Sequence, residues 1–177
     1  LHWAKKLAPY GIAIRILKAQ AGACLICLYR AGWLRQILAE PSNQAFLQRH
    51  GYQTGQGCGS LLEQLSRRLE VGFPHEIGLF LGYPLEDVEG FIQNQGRNYT
   101  ACGCWKVYGD PHAAQERFDC YRRCTALCRE RFRQGADVTQ LILLEAGWAK
   151  NLHLSYLLFS FALMRLPFRM RAGFGRF

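Results

Sequence analysis

From Gly11 the chain places Ile12, Ile14 and Ile16 in alternation with Ala13, Arg15 and Leu17, and "ACLICLYR" follows a short Ala-Gln-Ala-Gly link. β-branched residues at a period of two predict a β-hairpin with the three isoleucines on one face. The period then lengthens. Ala31–Ala39 reads as a helix stopped by Pro41, and Ser42 is placed to cap the next helix, through about His50. "GYQTGQGCG" reads as a loop, and Ser60 with Glu63 has the spacing of a capping box for a helix over 61–70. Leu61, Leu62, Leu65 and Leu69 are its apolar stripe.

Residues 73–96, "FPHEIGLFLGYPLEDVEGFIQNQG", predict two short helices around a turn at Gly82, with Pro84 opening the second. "YTACGCWKVYG" reads as an extended segment between glycine corners. Asp110 at N-cap and Pro111 at N1 then open a helix to about Arg133, ended by Gly135. Its apolar face is Ala114, Phe118, Tyr121, Thr125, Cys128 and Phe132. Asp137–Ala146 reads as one more short helix. The fold class this implies is α+β: a small antiparallel sheet, made of the N-terminal hairpin plus the segment near 101–108, packed against five or six helices. A single domain is expected over 1–146, with 147–177 an atypical basic and apolar tail.

Composition is that of a globular chain with its own core: 177 residues, half apolar and a fifth charged. The net charge of +9 is unevenly spread. Nine bases against three acids occupy 1–72, two against four occupy 73–109, six balance six over 110–146, and the last 31 residues hold five bases and no acid. The motif-rich centre is therefore acidic, which weakens the inference from basic charge to nucleic acid. Leu152–Met164 is mostly apolar but shorter than the roughly 20 residues needed to span a bilayer. Membrane association thus rests on the tail over 152–168 alone, as an interfacial helix flanked by arginines. The chain opens at Leu1 with no charged-then-apolar signal segment, as expected of a fragment or processed chain.

Eight cysteines and no secretion signal predict a reduced, cytoplasmic setting with buried thiols or a metal site. Cys24 and Cys27 fall on opposite faces of a strand, which defeats their C-x2-C spacing as a metal pair. Cys120 and Cys128 lie two helical turns apart, about 12 Å, too far for one ion. Cys58 precedes a helix N-terminus, where the dipole would lower a thiol pKa; a loop thiol without a role is the plainer reading. Cys102, Cys104 and Lys106 share one face of an extended strand. A zinc or iron site there would need further ligands, for which His75 and Cys58 are the candidates.

The 75–92 stretch has the spacing of a helix-turn-helix, yet its second helix carries Glu86, Asp87 and Glu89 and no arginine, which opposes phosphate binding. Nucleic acid is disfavoured. His75-Glu76 does not form a His-Glu-x-x-His motif, and neither a Gly-x-Ser-x-Gly elbow nor a Walker loop is present. No reaction follows from these residues, and a non-enzymatic role is favoured. At "FPHEIGLFLGYPLEDVEGFI" followed by "CGCWKVYGD" the chain resembles the bacterial domain-of-unknown-function family numbered 3793. The resemblance is strongest over 73–133 and extends back to the hairpin near residue 10. It implies no reaction or ligand, because none is assigned to that family. The chain is expected to begin inside the family's N-terminal region and to leave the family's pattern after about residue 147.

The residues themselves point to a binding or accessory protein whose partner is a small molecule or another protein. Its expected site lies between the 75–83 corner and the 102–110 segment. The binding residues expected there are His75, Glu76, Tyr83, Trp105, Lys106, Tyr108 and Asp110. The alternatives are a thiol-based metal or redox site at Cys102 and Cys104, and helix-turn-helix-like nucleic-acid binding.

Overall fold

The computed structural model describes residues 2–20 and 23–142. A short helix α1 (His2–Leu7) and a 3-10 turn (Ala8–Tyr10) lead into the antiparallel hairpin of β1 (Ile12–Gln20) and β2 (Ala23–Arg30). The hairpin forms where its β-branched residues predict, but its faces do not. The register shifts between Ile16 and Lys18, so Leu17 is 4% exposed while Ile16 is 58% exposed. A bulge adds one residue to one strand and reverses the alternation beyond it, which corrects the all-isoleucine face.

Four helices follow the hairpin closely: α2 (Ala31–Ala39), α3 (Pro41–Arg49), α4 (Cys58–Val71) and the single turn α5 (Ile77–Phe80). Pro41 is the first residue of α3, so it opens that helix as well as ending α2, and no side chain caps it. The capping box at Ser60 does not form. α4 begins three residues before the expected start at 61, at Cys58; Ser60 bonds Gln56 and Glu63 pairs with Arg67. The leucine stripe of α4 is buried as expected, against Leu34 and Leu38 of α2, Phe46 and Leu47 of α3, and Phe80.

A second, smaller core lies beyond α6 (Leu85–Gln93). The short strands β3 (Ala101–Cys102) and β4 (Lys106–Val107) pair antiparallel and pack with α7 (Pro111–Arg133) around Trp105, Val107, Ala114 and Phe118. Tyr83 packs against both cores. Asp110 caps α7 as predicted, its carboxylate accepting from the His112 backbone N–H at 2.8 Å. The stripe on α7 is buried only at its start, and Phe132 is 63% exposed. The architecture is α+β, a hairpin and a second two-stranded sheet among helices. The helix expected over 137–146 is seen from 138 to 142, with Asp137 accepting from Gln140 N–H at 2.9 Å. Its remainder and the tail over 147–177 lie outside the described residues. Among the described residues no helix is long and apolar enough to cross a membrane.

Candidate functional site

The site is built on the corner between α5 and α6. Gly82 takes φ +75°, a left-handed turn that a side chain would strain, and Tyr83 N–H returns to the Gly78 carbonyl at 3.0 Å. Helix α6 then presents Asp87 inward. This carboxylate is 3% exposed and accepts three hydrogen bonds: Trp105 Nε1–H at 2.6 Å, Tyr108 N–H at 2.7 Å and Gly109 N–H at 2.9 Å. One buried acid thus ties the hairpin β3–β4 and the chain after it to the helix corner. Asp87 lies in the first turn of α6, but its partners lie 18 to 22 residues further on. A local signal existed in Gly90, one turn along and also buried, which marks that side of α6 as a face approached by another chain segment.

Between the corner and the hairpin opens a cavity of about 380 Å³. Its apolar wall is formed by Ile77, Leu81, Val88 and Phe91. Trp105 stands opposite, stacked on Tyr83 with ring centroids 5.1 Å apart and edge-on to Phe118 at 4.5 Å. At the rim, the His75 ring lies edge-on to Phe91 at 5.1 Å. Lys106 donates to the Gly96 carbonyl at 2.6 Å and sits 4.9 Å from the ring centre of Tyr99. Cys102 and Cys104, both exposed free thiols, complete the lip. Partial desolvation at the lip pushes the Cys104 thiol up in pKa, and the Arg122 guanidinium opposes that shift.

Of the seven expected binding residues, His75, Tyr83, Trp105 and Lys106 line this cavity. Glu76, Tyr108 and Asp110 do not. Glu76 belongs to the main core, 6% exposed, accepting from Tyr52 Oη–H and from the Arg68 guanidinium, each at 3.2 Å. Arg68 also lies 4.3 Å over the Tyr52 ring, and burial with the Glu76 charge beside it pushes the Tyr52 phenol pKa up. Tyr108 packs over Gly90, with its hydroxyl buried and unpartnered among the described residues. Asp110 serves as the helix cap.

The four-ligand metal set is not brought together. Cys58 does not line the cavity; it is the first residue of α4 and packs on the main core. Its thiol pKa is raised by burial, against the pull of Arg35 and Arg15, so the dipole-lowered alternative gains no support, and the favoured loop position is corrected to the first turn of α4. Among the described residues no three His, Cys, Asp or Glu side chains are grouped to hold a metal ion. The helix α6, read as a recognition helix, is also occupied on two sides, with Asp87 turned inward and Glu89 paired to Arg49 at 2.7 Å. Phe73 and Phe91, which sequence reasoning did not single out, supply aromatic lining.

Gly103, at the tip of the hairpin, lies so close to α7 that a Cβ would sit 2.4 Å from the Phe118 ring. Gly103→Ala should therefore push the lip off α7 and cost about 1–3 kcal/mol in urea denaturation. Gly59→Ala, whose Cβ would meet nothing within 4 Å inside α4, should be neutral or stabilising. Equal effects from the two substitutions would refute the close approach.

These features define a small α+β protein with an aromatic cleft between a two-helix corner and a thiol-bearing hairpin. The chain belongs to the family described as protein of unknown function (DUF3793), whose model matches residues 1–142. That match bears out the resemblance carried by "FPHEIGLFLGYPLEDVEGFI" and "CGCWKVYGD". Comparison with curated proteins and with solved structures finds no match.

Proposed function

We propose that this protein is a cytosolic binding protein that takes a flat, apolar, anionic small molecule into the cleft between the 75–83 corner and the 102–106 hairpin. The observation that carries this reading is the cavity of about 380 Å³ walled by Trp105, Tyr83 and Phe91 with an ammonium group at its rim. Small-molecule sites are typically roughly 300–1,000 Å³, mostly apolar and marked by a few convergent polar groups. Aromatic walls favour a planar ligand through offset stacking. Lys106 has three donors and commits one to Gly96, which leaves two for an anionic substituent. His75 adds a second polar group on the opposite segment.

Nucleic-acid binding through 75–92 has less support, because α6 bears three acids and no base. The test is a fluorescence titration with 1-anilinonaphthalene-8-sulfonate, an anion with a planar, apolar naphthalene ring. Saturable binding is expected, with Lys106→Met weakening it about tenfold, or ~1.4 kcal/mol. Cys102→Trp, which fills the mouth, should abolish it. Binding unchanged in both variants, or no binding to the native chain, would overturn the reading.

A further inference from the structure

Cys102 and Cys104 stand apart from the other six cysteines. Both are exposed, both are free, and both face the same cavity from one hairpin. Cys102 is fixed by its pairing with Lys106, and Gly103 N–H bonds the Trp105 carbonyl at 3.0 Å, which turns the chain tightly around Cys104. Two positions apart, their Cα atoms are at most about 7 Å from each other. Two metal–sulfur bonds of about 2.3 Å span about 4.6 Å in a linear arrangement, within reach of both side chains. Zinc and iron sites ask for more donors than this lip supplies, since no group of three ligands exists among the described residues. Soft thiolates instead select Cu(I).

We propose that Cys102 and Cys104 form a two-coordinate site for Cu(I) at the mouth of the cleft. On binding, each thiol loses its proton to solvent and forms one sulfur–copper bond, and copper remains monovalent. The resulting bis-thiolate unit carries one net negative charge. Lys106 lines the same cavity, so the unit forms beside one ammonium group, while the Asp87 carboxylate of that lining is committed to Trp105, Tyr108 and Gly109. This inference is independent of the small-molecule reading, because it uses the sulfurs of the lip rather than the aromatic walls.

The test uses the full chain, reduced and free of oxygen, titrated with Cu(I) against a chromogenic Cu(I) chelator and then challenged with glutathione. About one tightly held copper per chain is expected, retained against glutathione. Cys102→Ser and Cys104→Ser should each weaken binding at least about 100-fold, since each removes one of two donors. Cys58→Ser, away from the lip, should bind as the native chain does. Circular dichroism and urea denaturation show whether each serine variant keeps its fold. Copper lost to glutathione from the native chain would overturn the proposal, as would copper held equally by correctly folded Cys102→Ser and Cys104→Ser proteins.

Discussion

Asp87→Ala is expected to destabilise the protein by about 3–5 kcal/mol, because three hydrogen bonds to one buried carboxylate, each worth roughly 1.5–3 kcal/mol before the carboxylate's own burial cost is set against them, are lost together. The cost arises because the indole N–H of Trp105 and the backbone N–H groups of Tyr108 and Gly109 lose their acceptor together. An unsatisfied buried donor costs roughly 1–3 kcal/mol, and the half-buried backbone donors recover part of it from water. Asp87→Asn keeps one acceptor oxygen but turns an NH2 group toward donors, so it should be about 1–3 kcal/mol less harmful. Urea denaturation followed by tryptophan fluorescence measures both. A loss below about 1 kcal/mol for the alanine variant would show that the three bonds are not made.

The second large effect is expected on the other side of the corner, where Arg68→Met strips the Glu76 carboxylate of its cation and leaves it, among the described residues, the Tyr52 hydroxyl. Glu76 is 8% exposed in its side chain and Arg68 is 37% exposed, so water screens one end of the pair. The cost should fall below that of a fully buried pair, at about 2–3 kcal/mol. Adding Glu76→Gln to Arg68→Met should restore part of the stability, because the unpaired charge is gone. Double-mutant denaturation curves decide it, and strictly additive losses would refute the coupling.

Local rules read the local features of this chain well. The hairpin, the leucine stripe of α4 and the Asp110–Pro111 start of α7 depend on residues within a turn or two of one another. The bulge that buries Leu17 depends on how two strands pair, which alternation alone does not encode. Ser60 and Glu63 had the right spacing for a cap, but Gly57 serves as N-cap and α4 starts early, with Gln64 bonded back to Gln53 across the loop. The site was legible as a region, since polar and aromatic residues crowd two linked segments. Which of them face the cleft was not. Glu76 is drawn the other way by Tyr52 and Arg68, both earlier in the chain, while the partners of Asp87 come later.

Tyr83 touches both cores, and the cleft opens along the seam between them. The larger core holds fifteen buried residues and the smaller one four, so the weaker unit comprises the hairpin lip and the first turns of α7. An occupant of the seam would therefore act as mortar. At a hundred times its dissociation constant it would add about 2.7 kcal/mol to the joint, a large share of what so small a core can supply alone. Occupancy of the cleft would then be legible at a distance, as the difference between an α7 that stays docked and one that comes loose.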